Sequence, residues 1–464
     1  MLSARAIRDT LFVASLVGAT LAAVSGCGTE HGPSDAAPSG DAAASGAPVP
    51  SSASPSGLSL AAQLGKQLFF EKALSASGRM SCATCHDSQY AYGPSNGLAV
   101  QRGGPGMDQQ GTRAVPSLRY KEYTPPFADL LDNPDGVSAP GPGGGFTWDG
   151  RAATLAEQAL VPLLSPVEMA NANAAAVIER VLASPSAELF RRVFTADPKR
   201  DPAAALSAVG NALSAFQLED PSFHPYSSKY DRYVGNKIGG ELSPAEVRGM
   251  KLFSAPDKGN CTSCHFPGAG LNGSSAMFTD YSYEAIGVPR NAALPVNADH
   301  GYFDLGICGP ARGDHKPLPG IPNAFCGMFK TPTLRNVATR SSFFHNGVLH
   351  SLEQVLRFYN TRDTRPELWY PNVGGKSKAV TDPGFPSYGL ITTQYVGGKV
   401  VKFDDLPAAF VHNLDKQMPL DGRKAGSAPP LTEQNIADLI CFLNTLTDDY
   451  QPPASPKTSG PCVN

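Results

Sequence analysis

Leu60, Leu64, Leu68 and Phe69 recur at helical spacing behind Ser59, a residue type that caps helix N-termini, and predict a helix near the start of the ordered chain. A second start signal is Ser243-Pro244-Ala245-Glu246, a capping box with proline at the first helical position, followed by the apolar Val247, Met250, Leu252 and Phe253. A third periodic run begins near Thr432 and passes through Ile436, Leu439, Ile440, Leu443 and Leu446. Ahead of these lies a different pattern. Arg5 and Arg8 precede a short apolar run from Leu11 to Val24, too brief for a committed membrane span, which reads as a secretory signal over 1–26. Residues 27–57 are rich in Ala, Ser, Pro and Gly and read as a flexible linker.

The helical segments echo one another. Gly65-Lys66-Gln67-Leu68-Phe69 matches Gly249-Met250-Lys251-Leu252-Phe253. Val115-Pro116-Ser117-Leu118-Arg119 matches Thr331-Pro332-Thr333-Leu334-Arg335, and Phe146-Thr147-Trp148-Asp149-Gly150 matches Phe343-Phe344-His345-Asn346-Gly347. Thr154-Leu155 and Ser351-Leu352 follow at the same offset from Trp148 and His345. Such repetition predicts an internal duplication, with domains over 58–240 and 241–464. The fold expected is mainly α, two tandem domains with long irregular loops.

The haem expectation comes from Cys82-Ala83-Thr84-Cys85-His86 and its second copy, Cys261-Thr262-Ser263-Cys264-His265. Two thiols three positions apart reach the two vinyl groups of a haem, and the adjacent imidazole reaches its iron. Zinc would require two such pairs close together, and a redox dithiol has no reason to end in His twice. Cys82, Cys85, Cys261 and Cys264 are therefore expected to carry two covalently attached haem c groups, with His86 and His265 as iron ligands, so that the mainly α fold is expected to hold two tandem cytochrome c-like haem domains with long irregular loops.

The chain has 464 residues, nine of them cysteine, and a net charge of −3, so no nucleic-acid footprint is visible. Val24-Ser25-Gly26-Cys27 resembles a bacterial lipoprotein box. It implies a lipid on Cys27 that holds the protein to the membrane on the periplasmic side, and Gly28 favours the outer membrane. Four cysteines remain, Cys308, Cys326, Cys441 and Cys462. An exported chain permits disulfides, and local pairing gives Cys308–Cys326 and Cys441–Cys462, one of three connectivities.

The duplication allows the two haem sites to be compared. Fourteen places after His345 stands Tyr359, and fourteen after Trp148 stands Pro162. If the halves superpose, Tyr359 closes the second iron and Pro162 leaves the first one open. Peroxide cleavage at an open iron needs a proton shuttle, for which Gln158 and Glu168 are placed after Trp148. The loop from Asp87 to Thr112 contains no His; Met107 is its one soft side chain and reads as packing. His224, His300, His315, His350 and His412 read as loop or surface residues.

These motifs, with Trp148-Asp149-Gly150-Arg151-Ala152 and Pro166-Val167-Glu168-Met169, resemble the bacterial di-haem cytochrome c peroxidase and MauG family over about residues 58–450. The resemblance implies hydrogen peroxide as substrate at the N-terminal haem and electron transfer through the C-terminal haem. It also implies Trp148 as the interhaem residue, Glu168 as the acid–base residue and Gln158 as a distal-pocket group. The electron donor implied is a small protein such as a cytochrome c or cupredoxin. The absent loop His and Tyr359 depart from the ordinary peroxidases, and Tyr359 looks like MauG. That implies, as an alternative, oxidation of a protein substrate's side chain through a high-valent di-haem state. A di-haem electron carrier without peroxide chemistry is the remaining alternative. The family also implies one calcium ion, held partly by an Asn in an Arg-Asn-x-Pro stretch, here Arg113-Ala114-Val115-Pro116, and by backbone carbonyls matching Arg340 and Ser342.

Overall fold

The computed structural model describes residues 57–269, 273–315, 323–370, 395–396, 399–400, 402–453, 459–460 and 462–463. The signal over 1–26, Cys27 and the linker up to residue 56 lie outside the described residues. Among those described, no helix is long and apolar enough to cross a membrane.

Six helices carry the architecture: α1 Leu60–Phe70, α2 Leu155–Leu164, α3 Pro202–Glu219, α4 Pro244–Ser254, α5 Leu352–Thr361 and α6 Glu433–Asn444. The strands described form only short two-stranded ladders, so loops connect most of the helices. Ser59 Oγ accepts the Ala62 N–H at 3.1 Å to start α1. At α4 the capping box closes both ways: Glu246 N–H donates to Ser243 Oγ at 3.3 Å and Ser243 N–H to Glu246 Oε2 at 2.7 Å. Each cap satisfies donors that the first helical turn leaves unpaired. α6 starts after Thr432 as its periodicity predicts but ends at Asn444. Leu446 lies beyond it in a tightened turn and still packs into the core at 1% exposure.

Two helix crossings repeat the same contact. A Cβ on Gly65 would stand 1.9 Å from the Ala212 carbonyl oxygen and 2.9 Å from Phe216 Cβ. A Cβ on Gly249 would stand 2.0 Å from the Asp438 carbonyl oxygen and 2.8 Å from Phe442 Cβ. Only glycine lets α1 meet α3, and α4 meet α6, at that separation. One apolar core gathers around the first crossing, from Leu64 to Phe223. Another gathers around the second, from Tyr230 to Leu446.

The loops repeat as closely as the helices. Ser117 Oγ donates to the Ala91 carbonyl and Thr333 Oγ1 to that of Met277, both at 2.5 Å, and each hydroxyl accepts the N–H of the Arg two residues on. The two arginines then diverge. Arg335 makes a two-pronged pair with Asp231 at 2.9 and 2.8 Å, whereas Arg119 reaches Asp448 at 3.1 Å. Asp448 also accepts from Tyr120 Oη at 2.7 Å and Asn336 Nδ2 at 2.6 Å, and so ties the two halves together. Both disulfides follow local pairing, Cys308–Cys326 and Cys441–Cys462; the latter fastens the C-terminal segment to α6.

Candidate active site

Cys82–Cys85 forms a single helical turn, and Cys261–Ser263 a 3-10 turn. In each, the His N–H donates back to the first cysteine's carbonyl, at 2.9 Å for His86 and 2.8 Å for His265. His86 Nδ1 lies 2.9 Å from the Tyr92 carbonyl oxygen and His265 Nδ1 lies 3.1 Å from that of Phe278. A carbonyl can only accept, so Nδ1 carries the proton in both rings and Nε2 keeps its lone pair for a metal. Tyr92 and Phe278 hold their carbonyls there from left-handed backbone, φ 54° and 52°, an uncommon conformation for aromatic residues.

The four motif cysteines are free, whereas the other four described cysteines are paired. Burial pushes the Cys82, Cys85 and Cys261 thiols up to about 12, and raises Cys264 as well. Such thiols are unlike the low-pKa thiolate of a reactive dithiol. No group of three or more His, Cys, Asp or Glu that could hold a metal ion occurs among the described residues. Neutral thiol pairs, each beside a proton-fixed imidazole, fit covalent haem.

Each motif opens onto its own cavity. The first is lined by Cys82, Cys85, His86, Gln158, Pro162 and Glu168, which brings together every residue the sequence assigns to the N-terminal haem. Burial raises the Glu168 carboxyl above its ordinary range; the Ser165 hydroxyl and the Arg151 charge oppose that rise without reversing it. The second cavity is lined by Cys261, Cys264, His265 and Tyr359, together with Trp148 and His345. α2 and α5 begin on equivalent caps: Glu157 N–H donates to Thr154 Oγ1 and Gln354 N–H to Ser351 Oγ, both at 3.1 Å. The equal offset therefore delivers Pro162 to one cavity and Tyr359 to the other.

A single peptide separates the cavities. Trp148 Nε1 donates to the Ala114 carbonyl at 2.8 Å, and Ala114 N–H donates to the His345 carbonyl at 2.7 Å. Arg113 and Val115, on either side of Ala114, line the first cavity, while Trp148 and His345 line the second. His345 is buried and stacked on Phe329 with ring centroids 3.6 Å apart.

Met107 packs against the first core and its Sδ accepts from Ser77 Oγ at 3.4 Å; it does not line the first cavity. His315, read as a loop or surface residue rather than a ligand, lies in a loop and is partly buried, its Nε2 2.8 Å from Asp129 Oδ1. Sequence reasoning missed Arg113, which joins Asp149 and Asp304, each at 2.7 Å, beside the interhaem peptide. It also missed Lys121, Lys330 and Arg340 on the wall of the second cavity. The one local signal is the Arg113-Ala114-Val115-Pro116 stretch; nothing in the spacing marks the three cations.

Two CxxCH turns, two oriented imidazoles and two adjoining cavities define a di-haem c-type cytochrome architecture. The family model described as di-haem cytochrome c peroxidase matches residues 59–238. The methylamine utilization protein MauG of Paracoccus denitrificans is 37% identical over 314 residues, 66% of this chain and 75% of that one. The cytochrome c551 peroxidase of Nitrosomonas europaea is 30% identical over 298 residues, 64% of this chain and 71% of that one. Among solved structures, the diheme peroxidase BthA of Burkholderia thailandensis superposes with a TM-score of 0.70 at 37% identity, covering 84% of this chain and 86% of that chain. The chain belongs to the di-haem cytochrome c peroxidase family, the oxidoreductases that include the MauG proteins.

Proposed function

We propose that this protein reduces hydrogen peroxide at the N-terminal haem with electrons passed through the C-terminal haem. The observation that carries this reading is the asymmetry of the cavities: Pro162 stands in one and Tyr359 at the matching place in the other. Bound haem supplies the iron at which the O–O bond breaks and the electrons pass. His86 and His265 would hold the two irons through Nε2. Proline has no side-chain donor atom and would leave the iron held by His86 free to take peroxide, whereas the Tyr359 phenol would be a second ligand for the iron held by His265. Glu168 would move a proton from the inner peroxide oxygen to the outer one, so that the leaving group departs as water. Gln158 orients the peroxide by hydrogen bonding. Trp148, hydrogen bonded into the interhaem peptide, lies on the route between the sites. With two electrons and two protons supplied, one peroxide gives two waters.

The residues present do not fit a calcium ion. The Ser342 carbonyl accepts from Arg340 Nε and the Val115 carbonyl from Arg340 Nη2, both at 3.2 Å, and Ala114 offers no side-chain oxygen. A guanidinium already answers these carbonyls and repels a second cation.

The partner that returns the electrons is a small redox protein such as a cytochrome c or cupredoxin. The presence of Tyr359 in the second cavity and the lack of His over 87–112 favour a second reading, oxidation of a protein substrate's side chain. Lipid on Cys27 and a periplasmic, outer-membrane position complete the proposal. The test is turnover of peroxide with reduced cytochrome c, with and without pre-reduction of the enzyme. Equal turnover in both supports the open first site; turnover that appears only after pre-reduction overturns it. Tyr359→Phe should change the optical spectrum of the second haem and leave that of the first intact. An unchanged spectrum removes Tyr359 as a ligand.

A further inference from the structure

Buried cations in this protein are generally answered by carboxylates: Arg113 by Asp149 and Asp304, Arg119 by Asp448, Arg335 by Asp231, Arg362 by Asp363. Lys121, Lys330 and Arg340 differ. All three line the second cavity and are half-buried, and none has a carboxylate within ion-pair distance among the described residues. Arg340 reaches only the two carbonyls of Ser342 and Val115, and Lys330 Nζ only that of Gly145. Lys121 Nζ makes no hydrogen bond to the described protein. Four carboxylates also line this cavity, Glu284, Asp304, Asp405 and Asp415, none within ion-pair distance of the three cations; Asp304 is held by Arg113 and Asp405 by Arg290, while Glu122 accepts from Tyr226 Oη at 2.7 Å and Asp149 is held by Arg113 and Arg151.

Like charges gathered in an apolar cavity are costly unless an anion joins them. The three lie close enough to act on one another, since Arg340 depresses Lys121 and Lys121 depresses Lys330, with burial the larger cause in each case. Arg340 donates to the Val115 carbonyl, and Val115 lines the first cavity, which places the group at the boundary between the cavities. Haem is an apolar ring bearing two carboxylates, and a largely apolar cavity with a cationic edge matches both parts. We infer that Lys121, Lys330 and Arg340 form the counter-charge for haem propionate carboxylates at the boundary between the two sites. This rests on the assignment of haem to the two CxxCH motifs.

The test uses the holoprotein. Lys121→Gln removes a charge without breaking any hydrogen bond the structure describes, and the Lys121→Gln/Lys330→Gln double variant removes two. A cation beside a haem favours its reduced, less positive form. The midpoint potential by spectroelectrochemistry should therefore fall in each variant, with covalent haem content unchanged. Lys121→Arg should restore it, and Lys72→Gln, at an exposed position, should leave it alone. With haem carrying ¹³C-labelled propionates, the infrared carboxylate band should shift in Lys121→Gln. An unchanged band or an unchanged potential at full haem content overturns the inference. Wild-type protein that carries no covalent haem overturns the haem assignment instead, so the two failures are distinct.

Discussion

Glu168→Gln should slow the reaction with hydrogen peroxide by about 10²- to 10⁴-fold, the range that positioned acid–base groups contribute. Glutamine keeps the shape and one hydrogen bond of the carboxyl but cannot carry a proton between two oxygens. The side chain lines the same cavity as Cys82, Cys85 and His86. Burial destabilises its charged form and raises its pKa. The base form thus populates at higher pH than for a solvated glutamate. In wild-type protein the rate with peroxide should rise with pH through that raised pKa, and the limb should vanish in Glu168→Gln. Stopped-flow spectra at a series of pH values check both outcomes. A variant that keeps the full rate removes the acid–base assignment.

Asp448→Ala should destabilise the folded protein by about 3–5 kcal/mol, the cost of breaking a buried ion pair from one side. The Asp448 side chain is buried and accepts from Tyr120, Arg119 and Asn336 together with the Ser227 N–H. Its loss strands the buried Arg119 guanidinium, whose remaining acidic partner, Asp449, is 74% exposed and too well solvated to compensate. Asp448→Asn, which retains an acceptor, should cost less. Thermal unfolding of the holoprotein ranks the three, and equal melting temperatures would show that the contact is not structural. Because Asp448 bridges residues from both halves, the alanine variant should also slow electron passage between the haems, read as slower re-reduction of the first haem after peroxide.

Much of the site was legible in one chain because duplication makes the sequence its own comparison. The offset from Trp148 to Pro162 and from His345 to Tyr359 needed only two equivalent helix caps, and Thr154 and Ser351 supply them. Gly65 and Gly249 were visible as an echo, but the carbonyls that exclude any side chain there, those of Ala212 and Asp438, lie on helices far along the chain. The contact of the loop residue His315 with Asp129 was not legible, because nothing nearby in sequence announces Asp129.

The CxxCH turns, the helix starts and the contrast of Pro162 with Tyr359 are short-range properties: they depend on spacing within a few helical turns, where backbone geometry leaves few choices. The partition between the cavities and the cations beside it are long-range ones. Ala114 meets His345, and Lys121 joins Lys330 and Arg340, only because packing of the two halves brings segments more than two hundred residues apart onto one surface. Burial, and with it the shifted proton affinity of Glu168, exists only after that packing has removed water.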